Sequence, residues 1–184
     1  MSIEDRKRWD ERHREPSGLK PRACVESFPP ARGPRSLALD LACGQGRHAA
    51  ALARLGYLVV AMDVSMHALR HALEASSGSA GRVLALQADA DDWPFAPAAF
   101  DAVVQVDFLD RRLLPCLDAS LASGGLLLVE TFLDQGTPNR EGPSSPAFLL
   151  SPGELPRAFE GYEILRYEEI RGETGRASML ARKR

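Results

Sequence analysis

Between residues 36 and 132 the chain alternates short, nearly continuous apolar runs with segments whose apolar positions recur at helical spacing. The runs "SLALDLA" (36–42), "YLVVAMD" (57–63), "RVLALQA" (82–88), "FDAVVQVDF" (100–108) and "GLLLVETF" (125–132) read as strands. Most are apolar on consecutive residues, the pattern of strands covered on both faces, so the sheet is expected to be parallel. Between them, "RHAAALARLG" (47–56), "MHALRHALEAS" (66–76) and "RLLPCLDASLA" (112–122) read as helices. Gly56 stands where a glycine closing a helix belongs.

Beyond residue 132 the pattern changes. "LDQGTPNREGPSSPAF" (133–148) is rich in Gly, Pro, Ser and Asn and reads as a long, mobile loop. "SPGELPRAF" (151–159) predicts a helix capped by Ser151, with Pro152 at its first position, Glu154 completing a capping box and Pro156 keeping it short or kinked. The final "YEILRYEEIRGETGRASMLARKR" reads as two antiparallel strands about a Gly172/Gly175 turn. The first 35 residues form a charged helix and a proline-rich connection, a lid segment ahead of a main unit at 36–184.

The totals narrow the possibilities. A chain of 184 residues fits a single domain, so any chemistry must be built from that domain's loops. A formal charge of −2 creates no field for a polyanion, which argues against a nucleic-acid partner. Cys24, Cys43 and Cys116 are scattered and form no CxxC pair, which suits a reducing cytoplasm. No apolar stretch reaches the length of a membrane span, and the charged start is unlike a signal peptide.

The chemistry concentrates in "LDLACGQGRHAAALA" (39–53), a strand, a glycine turn and a helix. Gly44 and Gly46 allow a ligand to approach the backbone, and the N–H groups that open the following helix face it. Gly44-x-Gly46-x-x-Ala49, with Asp63 closing the second strand, also satisfies a dinucleotide fingerprint, which leaves NAD as a candidate. Asp40 separates the candidates, because a carboxylate beneath a pyrophosphate repels it at low dielectric. A cofactor with an amino group, a sulfonium and no phosphate suits that carboxylate, and S-adenosylmethionine has this composition. Asp63 then faces the ribose hydroxyls, and Asp89, after the third strand, faces the adenine with Trp93 or Phe95 nearby.

The stretch "LDLACGQGRHAAALARLGYLVVAMDVSMHAL" resembles the cofactor-binding motifs of class I S-adenosylmethionine-dependent methyltransferases, and more narrowly the small bacterial branch with tellurite-resistance and thiopurine-type enzymes. "RWDERHRE", "VDFLDRRLLP", "GGLLLVETFL" and "FLLSPGELPRAF" extend the resemblance from Trp9 to Tyr167. It implies a Rossmann-like, doubly wound α/β fold with a mostly parallel seven-stranded sheet ordered 3-2-1-4-5-7-6, its last strand antiparallel. It also implies that Asp40, Ala42, Cys43, Gly44, Gly46, Asp63, Val64, Asp89 and Ala90 carry the cofactor, with Val106 and Asp107 beneath its methionine portion. The sequence departs from the branch in having Pro156 in place of a usual leucine, and no Tyr-Gly pair after "RWDERHRE".

Methyl transfer from a sulfonium is an in-line displacement with a neutral leaving group, so no catalytic triad is expected and none is visible. Acceptor-side candidates are Asp107, Arg111, Glu130, Phe132 and Phe148 on loops above the strand ends, and Trp9 or Arg12 from the N-terminal lid, and the acceptor is expected to be a small molecule. Each has an ordinary reading: Glu130 as an arginine's partner, Arg111 as a cap, the two phenylalanines as core. His67 and His71, four apart, read as a solvated helix face instead of a metal pair, Cys43 as a buried, inert thiol, and His48 as a packing residue. Two rivals remain: an NAD-binding oxidoreductase, and a module that binds S-adenosylmethionine without catalysis.

Overall fold

The computed structural model describes residues 3–79 and 82–184. The strands are β1 (Leu37–Leu41), β2 (Leu58–Asp63), β3 (Val83–Gln87), β4 (Phe100–Val106), β5 (Leu121–Phe132), β6 (Glu163–Ile170) and β7 (Arg176–Arg182). They form one seven-stranded sheet ordered β3-β2-β1-β4-β5-β7-β6. β1 to β5 pair in parallel, while β7 is antiparallel to both neighbours. The order and the antiparallel strand are those expected from the resemblance.

The helices are α1 (Ile3–Arg12), α2 (Ala23–Glu26), α3 (Arg47–Arg54), α4 (Met66–Ala75), α5 (Leu114–Ser120) and α6 (Glu154–Ala158). Strand residues alternate between two core layers. Ala38, Val59, Val104 and Leu128 pack with Val25 and Phe28 of the N-terminal segment, Leu52 of α3 and Leu69 of α4. On the other face Leu39, Met62, Val103 and Leu127 pack with Leu117 of α5 and Leu155 of α6. Cover on both faces explains why the central strands carry apolar residues consecutively. β3 is the exception: it lies at the sheet edge, and Leu84 is exposed.

Several boundaries differ from the sequence pattern, each for a local reason. The expected helix at 112–122 becomes a 3₁₀ turn at Arg111–Leu113 followed by α5, and Leu121 already belongs to β5, paired with Phe100. The strand then passes through an irregularity, where Gly124 takes a φ of +75° and a side chain on Gly125 would press on Leu121. The helix expected from Ser151 starts instead at Glu154, with Gly153 in the left-handed region as its cap and Pro152 outside it. One half of the capping box survives, since the Ser151 N–H donates to the Glu154 carboxylate at 2.8 Å.

The loop expected to be mobile, 133–148, is tied to the β6–β7 turn. Asn139 Oδ1 accepts from the Gly175 N–H at 2.7 Å, and Gln135 donates to the Gly172 carbonyl at 2.9 Å. Leu133 forms a bridge with Leu150, and both are fully buried. Among the described residues no helix is long and apolar enough to cross a membrane.

Candidate functional site

The first strand-to-helix turn sits at the carboxyl end of the sheet, where β1 lies between β2 and β4. Asp40 pairs in register with Ala61 and Val104 at the centre of the sheet. It is 1% exposed, and its Oδ2 is buried without a hydrogen-bond partner. Burial pushes its pKa up to about 7, aided by the Asp63 charge and opposed by the Ala49 N–H and by Arg47. A buried carboxylate oxygen with no donor calls for a cation.

Asp63, at the end of β2, frames the same turn. Its two oxygens accept from the Gly44 N–H at 2.8 Å and the Ser65 N–H at 2.9 Å, and burial raises its pKa. The two glycines do different work. Gly44, at φ +53°, would bring a Cβ into ordinary contact with the His13 ring, at 3.5 Å, so the N-terminal segment covers that face. Gly46, at φ +75°, faces α4: a Cβ there would lie 2.4 Å from the Ala72 Cβ and 2.6 Å from its Cα. Gly46 therefore serves close packing of the turn against α4. Ala42, just before the turn, holds a φ of +53° that costs an alanine strain.

The N-terminal segment lies across this turn. Asp10 accepts from Ser65 Oγ at 2.8 Å, docking α1 on the start of α4. Gln45 donates to the Glu15 carbonyl at 2.7 Å and accepts from the Ser17 N–H at 2.6 Å, and Arg47 donates to the Lys20 carbonyl at 3.1 Å. Trp9 stacks on His13 at 5.8 Å, with the Arg8 and Arg12 guanidiniums over its ring. Burial lowers the pKa of His13, which keeps the ring neutral beside Gly44. His71, expected on a solvated face, instead hydrogen-bonds the Arg14 carbonyl at 3.2 Å and clasps this segment.

A third group of residues gathers at the ends of β4, β5 and β7. Asp107, at φ +59°, receives Arg22 at 3.2 Å, Arg47 at 2.5 Å and Arg176. Burial alone raises a carboxyl pKa, but the three guanidiniums, Arg176 foremost, hold that of Asp107 below the usual range. Arg176 also pairs with Glu130 at 3.1 Å and lies over the Phe132 ring at 4.7 Å. His48 is buried nearby with Nε2 unpartnered, and burial lowers its pKa to about 3. Burial, reinforced by Glu130, raises the Cys24 thiol to about 12, and burial raises that of Cys43 well above the usual value.

A methyltransferase-domain family model matches residues 38–125, which span the glycine turn and β1 to the start of β5. Over these residues the chain carries a methyltransferase domain, set in the sheet order of the S-adenosylmethionine-dependent methyltransferase fold. S-adenosylmethionine is the cofactor of this methyltransferase class. The methyltransferase is 29% identical over 167 residues to the O-methyltransferase rstn1 of Aspergillus nomiae, covering 82% of this chain and 73% of that one. Over 101 residues it is 35% identical to the demethylmenaquinone methyltransferase of Thermobifida fusca, covering 51% of this chain and 43% of that one. TehB from Haemophilus influenzae shares the fold, with a TM-score of 0.69 at 24% identity over 82% of this chain and 58% of TehB. The methyltransferase thus spans less than two thirds of the length of the last two proteins.

Within the methyltransferase, Asp40, Ala42, Cys43, Gly44, Gly46 and Asp63 converge on one turn, with Val64 buried behind Asp63. Val106 and Asp107 flank it from β4. Asp89 and the buried Ala90 lie in the loop after β3, and Asp89 accepts from the Asp91 N–H at 3.0 Å. Trp93 and Phe95, expected beside an adenine, turn inward: Trp93 donates to Ser120 Oγ at 2.8 Å, and Phe95 packs edge-on against Trp93 and Phe100.

Of the acceptor-side candidates, Glu130 and Phe132 join the arginine cluster, and Trp9 and Arg12 lie on the N-terminal segment. Arg111 is spent as a clasp, bonding Glu154 at 2.6 Å and the Ala147 and Leu149 carbonyls, and Phe148 is exposed on that same segment. The sequence reading missed His13, Arg22, Arg47 and Arg176. Arg47 follows Gly46 directly and Arg176 follows Gly175, but their shared partner Asp107 is distant in sequence. Among the described residues no group of His, Cys, Asp and Glu has the arrangement of a metal site.

Proposed function

We propose that this chain transfers the methyl group of S-adenosylmethionine to a small-molecule acceptor by in-line displacement above the carboxyl ends of β1, β2 and β4. The observation that carries the reading is the buried, donorless Oδ2 of Asp40 beneath the glycine turn, which suits an ammonium group and repels a pyrophosphate. Asp40 receives the cationic amino-acid end of the cofactor, Asp63 its ribose hydroxyls, Asp89 the adenine side, and Val106 and Asp107 support the methionine portion. Bound S-adenosylmethionine supplies an electrophilic methyl on a sulfonium that departs as a neutral thioether.

The chain's own residues then orient and enclose. The segment from Trp9 to Arg22, held by Gln45, Arg47 and the Ser65–Asp10 bond, excludes water from the turn. Three arginines hold Asp107 acidic, and His48 stays neutral down to about pH 3. Neither group is therefore a strong base toward the acceptor. Three free cysteines fit a reducing compartment, and we place the enzyme in the cytoplasm.

Replacing Asp63 by alanine tests the assignment. S-adenosylhomocysteine binding measured by calorimetry should be lost while urea unfolding stays cooperative; an unchanged affinity would remove Asp63 from the cofactor site.

A further inference from the structure

A cavity of about 320 Å³ opens beside the arginine cluster, between α2 and the face of β5, β7 and β6 that α2 covers. Its wall includes Arg22, Arg166, Arg176, Ser178, Glu130 and Glu168. Hydrogen-bonding capacity in this wall is left over. Arg166 Nε and Nη2, Arg176 Nη1 and Ser178 Oγ are all buried without a hydrogen-bond partner. Arg166 spends only Nη1, on Ser27 Oγ at 3.1 Å, and its Nε lies 3.8 Å from Glu168. Four unsatisfied donor atoms from three residues around one cavity point to a missing acceptor of hydrogen bonds.

Charge gives the same answer. Arg22, Arg47, Arg166 and Arg176 are paired with Asp107, Glu130 and Glu168, which leaves one positive charge. A guanidinium with two adjacent free donors matches a planar carboxylate edge to edge. The cavity also shares Arg176 and Glu130 with the site described above, and Glu130 pairs in register with Val106. We propose that the methyl acceptor is an organic acid whose carboxylate is held by Arg166, Arg176 and Ser178, with its nucleophilic end toward Glu130 and Asp107. This assignment rests on the methyltransferase reading and specifies its substrate class.

The test uses the full chain saturated with S-adenosylhomocysteine and titrated by NMR with benzoate, with the isosteric neutral benzamide, and with inorganic phosphate. Benzoate should bind, and benzamide about tenfold more weakly or not at all. Arg166→Met should weaken benzoate by a similar factor, and Arg166→Lys, which keeps the charge and loses the fork, should fall between. S-adenosylhomocysteine affinity should be unchanged in both variants. Equal binding of benzamide, phosphate binding without benzoate, or full benzoate affinity in Arg166→Met overturns the assignment. Because S-adenosylhomocysteine is measured in the same samples, its failure to bind would count against the cofactor reading, while loss of the benzoate response alone would count against the acceptor class.

Discussion

Replacing Asp40 by asparagine separates the cost of this site from its use. In the ligand-free protein the Asp40 carboxyl titrates near 7, against an ordinary 3.8, chiefly because it is fully buried. A carboxyl whose folded pKa is raised binds its proton more tightly in the folded state than in the unfolded state. Stability is therefore fully retained below about pH 4, falls as the pH rises toward 7, and stays lower above it. The shift corresponds to a penalty on the order of 4 kcal/mol at pH 8.5. Asparagine keeps the shape and removes the charge, but buries an amide that also lacks a full set of partners. That amide cost is the same at every pH, so the informative quantity is the difference between two differences. Urea unfolding of both proteins at pH 5 and pH 8.5 should show Asp40→Asn gaining on the natural chain by about 3 kcal/mol between the two conditions, since part of the penalty is already present at pH 5. Saturating S-adenosylhomocysteine should raise the stability of the natural chain and leave the variant unmoved. A pH-dependent gain below about 1 kcal/mol, or equal stabilisation of both proteins by the ligand, would refute the reasoning.

Further outcomes follow from the turn around Asp40. Gly46→Ala forces a Cβ into the backbone of Ala72 at a left-handed φ, so urea unfolding should show a loss of about 3 kcal/mol; a loss under 1 kcal/mol would mean that α3 and α4 can separate freely. Ala42→Gly relieves a positive φ and should raise stability by about 1 kcal/mol, measured the same way, without changing cofactor affinity. S-adenosylhomocysteine affinity of the natural chain, measured by calorimetry, should decline as the pH falls below 7, where Asp40 takes up a proton; a pH-independent affinity would remove Asp40 from the cofactor site.

The parallel sheet was legible because its central strands are buried on both faces, which writes consecutive apolar residues into β1, β2, β4 and β5. Asp40 and Asp63 were legible for a related reason: a carboxylate at the end of such a run has no place in a core. Asp107 was expected beneath the methionine portion from the resemblance, whereas Arg22, Arg47 and Arg176, which determine its charge state, come from three distant segments. The packing role of Gly46 was not legible, because its spacing from Gly44 carries no information about α4, whose Ala72 fills the space beside it. Trp93 and Phe95 read as an adenine wall until Ser120 and Phe100 provided them with partners. The loop at 133–148 carries loop composition, yet Gln135 and Asn139 find the backbone of Gly172 and Gly175, more than thirty residues away.

The most direct measurement is a parallel calorimetric titration of the purified chain with S-adenosylmethionine, S-adenosylhomocysteine and NAD⁺. Micromolar binding of both adenosyl-sulfur ligands with no heat from NAD⁺ is the expected result. Binding of NAD⁺ alone would contradict it, and would mean that the turn beneath Gly44 accepts a pyrophosphate despite the buried carboxylate of Asp40.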